Sequence, residues 1–110
     1  MKNVLKVLLC SAVLTGVQAQ ATATELVCEL GQRMGMYGDQ TLDSVIALIW
    51  QGQRYNLQRV ATSTGANRFE DSVSGLVWIG IPAKGMLLDA RHGKPLANEC
   101  KTDGQVRAAR

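Results

Sequence analysis

The sequence predicts an all-β fold, a small antiparallel β-barrel of about eight strands closed by one disulfide, and three observations carry that prediction. Short apolar or alternating runs recur at close spacing with turn residues between them. β-Branched and aromatic residues concentrate in those runs, and no segment after the leader carries a convincing helical period. Two cysteines, Cys28 and Cys100, stand near the two ends of the patterned region. A bridge between first and last strands suits a sheet that closes on itself and so removes its exposed edges.

The chain opens on a processing segment. Lys2 and Lys6 precede an apolar run, Val7 to Leu14, and Val17-Gln18-Ala19 then supplies small residues at the −3 and −1 positions of a cleavage site. This pattern reads as a secretory signal peptide over residues 1–19, with Ala21 and Ala23 as the next candidate sites. The run is too short to span a bilayer. Lipid attachment at Cys10 is disfavoured, because bulky Leu8 and Leu9 stand where such a site wants small residues. Residues 20–110 then form one domain of about ninety residues, enough for one small core.

Within that domain, residues 21–25 read as a loose linker. Glu25–Leu30 alternates as a strand with Leu26 and Cys28 on one face, and Met34–Tyr37 forms a second, bent at Gly31, Gly35 and Gly38. Asp39-Gln40-Thr41 is a turn. Ser44–Gln51 is apolar, short and β-branched, hence a strand. Gln51-Gly52-Gln53 is a tight hairpin turn in which Gly52 takes positive φ. Arg54–Val60 returns with Tyr55, Leu57 and Arg59 on one face. Thr64–Glu70 and Gly75–Ile81 pair through Asp71–Ser74; Lys84–Ala90 and Lys94–Lys101 pair through Arg91-His92-Gly93. The tail from Thr102 to Arg110 reads as polar and loose.

An even pair of cysteines in an exported chain predicts a Cys28–Cys100 disulfide. Closing a loop of that length contributes about 4 kcal/mol in the chain-entropy model. Two distant cysteines and a single histidine do not make a metal-ligand set, and no cofactor motif is present. The formal net charge of +3 falls to about +1 once Lys2 and Lys6 leave with the leader, with no basic run and few aromatics. That balance gives no footprint for nucleic acid or a membrane surface. An exposed barrel edge leaves homodimerisation open, without a decisive apolar patch to argue for it.

Catalysis has little to stand on. His92 follows Asp89 by three residues but sits in a glycine-terminated hairpin, where exposed polar residues are expected. Glu70-Asp71 is an adjacent acidic pair in a turn, and there is no nucleophile elbow or phosphate-cradling loop. The chain reads as a binding protein rather than an enzyme. Two loops then draw the eye, Thr62-Ser63-Thr64-Gly65-Ala66-Asn67 and Ile81-Pro82-Ala83-Lys84-Gly85.

A family resemblance enters on several segments together: Cys28, the Gly52 hairpin with Tyr55-Asn56-Leu57, Val60-Ala61-Thr62-Ser63-Thr64-Gly65, Gly75-Leu76-Val77-Trp78, Leu87-Leu88-Asp89 and Cys100. Across roughly Cys28 to Cys100 the chain resembles the bacterial inhibitors of c-type lysozyme, the MliC/PliC family. The resemblance implies an eight-stranded periplasmic barrel and a c-type lysozyme as partner. In that family a serine loop and a later lysine enter the enzyme's cleft and engage its two catalytic carboxylates, which glycoside hydrolysis needs in opposite protonation states. Carried onto this chain, the resemblance implies a partner-binding set of Thr64, Gly65, Asn67, Arg68 and Lys84. Thr64 stands at the serine position. The aromatic is Phe69 rather than tyrosine and comes one residue late. Gly80 stands where the lysine is expected, so the cation falls to Lys84 or Arg68.

Overall fold

The computed structural model describes residues 22–108. Eight strands form one antiparallel sheet in simple sequence order: β1 (Thr24–Val27), β2 (Arg33–Tyr37), β3 (Val45–Trp50), β4 (Gln53–Val60), β5 (Asn67–Glu70), β6 (Leu76–Gly80), β7 (Gly85–Asp89) and β8 (Lys94–Cys100). Alternation sends one residue in two to the interior. Leu26, Ile46, Leu48, Leu57, Phe69, Trp78, Leu87 and Cys100 are fully buried there, so the barrel is filled by side chains.

The sheet closes at one place. Val27 and Lys101 exchange backbone hydrogen bonds of 3.0 and 2.9 Å, and the Cys28–Cys100 disulfide lies beside that pair. The predicted barrel and its bridge are both present. The β3–β4 hairpin is also as expected, with Gln51 (φ 50°) and Gly52 (φ 80°) forming a two-residue turn whose twist suits the strands.

Three segments differ from the sequence reading. The first strand stops at Val27 rather than Leu30, because Leu30 (φ 62°) and Gly31 (φ 73°) leave the extended region in a tight turn closed by Cys28 N–H to Gln32 O at 2.8 Å. The fifth strand begins at Asn67 rather than Thr64. Gly65 at φ 84° breaks the extension, while the Thr62 hydroxyl donates to Ala66 O (2.8 Å) and Thr64 Oγ1 accepts from Ala66 N (3.3 Å). The tail is not loose over its first part: α1 spans Asp103–Ala108. Thr102 and Gln105 hold its start reciprocally, Gln105 N donating to Thr102 Oγ1 (3.1 Å) and Thr102 N to Gln105 Oε1 (2.9 Å). This is a capping box, and Thr102-Asp103-Gly104-Gln105 spells it in the sequence. The signal-peptide reading of residues 1–19, with Cys10, lies outside the described residues.

In an up-and-down barrel the connections alternate between ends. The β2–β3, β4–β5 and β6–β7 connections and α1 therefore share one rim. The tight turns β1–β2, β3–β4, β5–β6 and β7–β8 occupy the other. Gln105 ties α1 to the β6–β7 loop by donating from Nε2 to Pro82 O (3.1 Å).

Candidate functional site

The shared rim is built around Arg59 and Trp78. Arg59 points inward along β4, its guanidinium 4.6 Å from the Phe69 ring centroid. It donates to Gln40 O (2.6 Å), Asp43 O (3.0 Å) and Asn67 Oδ1 (2.9 Å), so one side chain fastens the β2–β3 connection across the barrel mouth. From that connection the Gln40 side chain reaches down to accept from Trp78 Nε1 at 2.9 Å. The arrangement needs two bare positions. A Cβ at Gly80 would lie 2.0 Å from Gln40 Oε1, and one at Gly85 would lie 2.2 Å from the Trp78 ring.

Each residue of the sequence-derived set can now be placed. Thr64 and Gly65 are exposed at the tip of the β4–β5 loop, and nothing lies within 4 Å of a Cβ at Gly65, so its requirement is the positive φ alone. Asn67 is half-buried and engaged by Arg59. Arg68 lies on the outer face of β5, its Nε 2.6 Å from Glu70 Oε2. Lys84 ends the β6–β7 loop, its Nζ 2.5 Å from Glu99 Oε2 on β8. The Thr64 and Lys84 loops thus belong to the same rim, and both basic side chains are paired with carboxylates of this chain. Gly80, the position at which the resemblance expects a lysine, faces the barrel mouth under Gln40, and a side chain there has room only if Gln40 gives up its contact with Trp78. Trp78 and Phe69 belong to the core, as their apolar surroundings in the sequence suggest.

His92 lies on the opposite rim. Its Nδ1 is 2.6 Å from Asp89 Oδ2, and the Asp89 carboxylate also accepts from the backbone N–H of Arg91 (3.0 Å) and His92 (3.2 Å). The pair organises an exposed hairpin. Among the described residues no group of three histidine, cysteine or acidic side chains is placed to hold a metal ion.

Sequence reasoning missed Arg59, Gln40 and Glu99. Arg59 was legible as inward-facing from the alternation of β4, but nothing local announces its partners. Gln40 and Glu99 carry no motif at all.

Four carboxylates are held below their ordinary pKa range by hydrogen bonds: Asp39 by the Thr41 hydroxyl, Asp71 by the Ser74 hydroxyl, Asp89 by His92 and Glu99 by Lys84. A folded pKa below the unfolded value means that the unfolded chain binds more protons on acidification. Their contribution is therefore complete above the unfolded carboxylate range and is lost as pH falls through the folded values. The melting temperature should be flat between about pH 7 and pH 5 and drop below about pH 4. A thermal-melt series that rises from pH 5 to pH 3 would contradict the assignment.

Fold and rim together define a disulfide-closed, eight-stranded antiparallel barrel with three loops and a short helix gathered at one end. No family model, curated protein or solved structure matches the chain.

Proposed function

We propose that this protein is a non-catalytic interaction module of the cell envelope that presents its β2–β3, β4–β5 and β6–β7 loops to a protein partner. The observation that supports this reading over enzyme inhibition is the state of the two candidate cations. Lys84 and Arg68 are each closed onto a carboxylate of the same chain, at 2.5 and 2.6 Å, and neither stands ready for a catalytic carboxylate in an enzyme cleft. Exposed apolar side chains stand at both ends of the barrel, Leu42 and Ile81 on this rim and Leu30 and Val73 on the other, so the choice of rim rests on its loops. Residues 1–19 support export of the mature domain.

Inhibition of c-type lysozyme is the second reading. It is favoured by the exposed Thr64 hydroxyl and the Lys84 loop on one rim, together with the family resemblance. Residues 20–110 titrated against a c-type lysozyme in a cell-wall lysis assay separate the two. The module reading expects no inhibition at micromolar concentration. Inhibition that weakens in both Thr64→Ala and Lys84→Ala, at unchanged melting temperature, would establish the second reading instead. The module reading itself is tested by a photocrosslinker placed at Ser63 or at His92. Envelope protein should be trapped from the Ser63 rim and not from the His92 rim, and equal trapping from both ends would defeat it.

A further inference from the structure

The outward side chains of β1–β4 fall into rows across the sheet. One row reads Glu25, Gly35, Ile49 and Arg54, in register from β1 to β4. A carboxylate stands at one margin, a guanidinium at the other, and a glycine beside an isoleucine between them. The row crosses a groove of about 500 Å³ along the outer face. Tyr37 closes the end of the groove towards the loop rim, and Gln51 and Gly52 close the end towards the tight turns.

Nothing within the chain requires glycine at position 35. Its φ is not positive, and β2 pairs there without a shift on either side. A Cβ would lie 3.3 Å from Ala23 Cβ and 3.6 Å from Ile49 Cβ, contacts that a small adjustment absorbs. A glycine inside a strand gives up packing and backbone order, and one that its own chain does not need marks a close approach from outside. The margins of the row are also open. Arg54 has no carboxylate partner among the described residues, and its guanidinium lies over the Tyr37 ring, 5.0 Å from the centroid. Glu25 accepts from Arg33 through Oε2 alone (2.8 Å), which leaves Oε1 without a partner among the described residues.

We propose that this face binds a second copy of the chain across a two-fold axis that runs parallel to the strands, between Gly35 and Ile49. Rotation about that axis reverses the order of the row. Ile49 of each copy enters the hollow over Gly35 of the other, and Arg54 of each meets Glu25 of the other, at two symmetry-related margins. Long charged side chains suit those margins, because a barrel face is convex and falls away from the contact there. The strands of the two faces run aligned, as they do in packed sheets. The rotation leaves both loop rims on the same side of the dimer, so a partner with two sites is held by both copies. A four-strand face is smaller than the roughly 800 Å² per partner of a standard interface, so the dimer is weak and forms only at high concentration. The inference stands independently of what the rim binds.

The test is sedimentation velocity and amide chemical shifts of residues 20–110 over a concentration series from about 20 μM to about 1 mM, where a contact below standard size dissociates. The parent should pass from monomer towards dimer over that series, with shifts at Gly35, Ile49 and Arg54. Arg54→Glu and Glu25→Arg, which place like charges together at both margins, should each weaken self-association at least about tenfold. The double variant restores the pairing with its sign reversed and should dimerise as the parent does. An equimolar mixture of the two single variants should also associate, because each supplies the charge that the other lacks. Gly35→Val, which fills the hollow, should remain folded and monomeric. A parent that stays monomeric at the top of the series, a dimer indifferent to either charge reversal, or single variants that fail to associate when mixed would overturn the proposal. None of these outcomes depends on lysozyme or on an envelope partner, so a failed lysis assay or crosslinking experiment leaves the series fully informative.

Discussion

Reduction of the Cys28–Cys100 bridge should lower the melting temperature by roughly 15–30 °C, the largest change available to a single covalent perturbation of this domain. The cysteines are 72 residues apart, and opening a loop of that size costs about 4 kcal/mol through the unfolded chain. A domain of this size has only about 5–15 kcal/mol in total. The native side adds to the effect, because Val27–Lys101 is the bridge between β1 and the chain beyond β8. Without its covalent neighbour that pair frays, and both strands become sheet edges able to template other chains. Melts of the mature domain with and without reductant, and of a Cys28→Ser/Cys100→Ser variant, provide the measurement. Both should fall together and the variant should aggregate near its transition. A loss below about 5 °C would mean that the seam is held mainly by packing.

The seam shows why the fold was largely legible in the sequence. Alternation in β4, the β-branched run of β3, the glycine turn at Gly52 and the paired cysteines are local or compositional signals, and each survives in the structure. The missed helix at Asp103–Ala108 was legible too: Thr102-Asp103-Gly104-Gln105 is a capping box, obscured because the segment is short and carries one large apolar residue, Val106. The rim was not legible, and the reason is physical. Its groups are joined across large separations in the chain: Gln40 to Trp78, Arg59 to Gln40 and Asn67, Lys84 to Glu99. No periodicity encodes such pairs. The bulge at Asn98–Glu99 is likewise invisible, since a glutamate does not announce a left-handed backbone and Glu99 adopts one where the register of β7 and β8 shifts.

Gly85→Ala should destabilise by about 3 kcal/mol, the upper part of the usual overpacking range, and lower the melting temperature by roughly 12–24 °C. The new Cβ would sit 2.2 Å from the Trp78 ring, and that ring is 1% exposed with its Nε1 tied to Gln40, so it cannot swing away without breaking a buried contact. Gly80→Ala, on the facing strand, makes an instructive control. Its Cβ would fall 2.0 Å from Gln40 Oε1, the free end of a flexible side chain, and Gln40 can withdraw, leaving the Trp78 N–H without its partner at a cost of about 1–2 kcal/mol. The expected order is therefore Gly85→Ala well below Gly80→Ala, with the Trp78 indole proton resonance displaced in both. The reverse order would mean that the Gln40 contact, not the tryptophan packing, holds the rim. The comparison bears directly on how Lys84-Gly85 is interpreted. The glycine of that pair is fixed by the indole beneath it, so loss of partner binding in Gly85→Ala would report a damaged core. Only Lys84→Ala, at an unchanged melting temperature, isolates what the ammonium does at the surface.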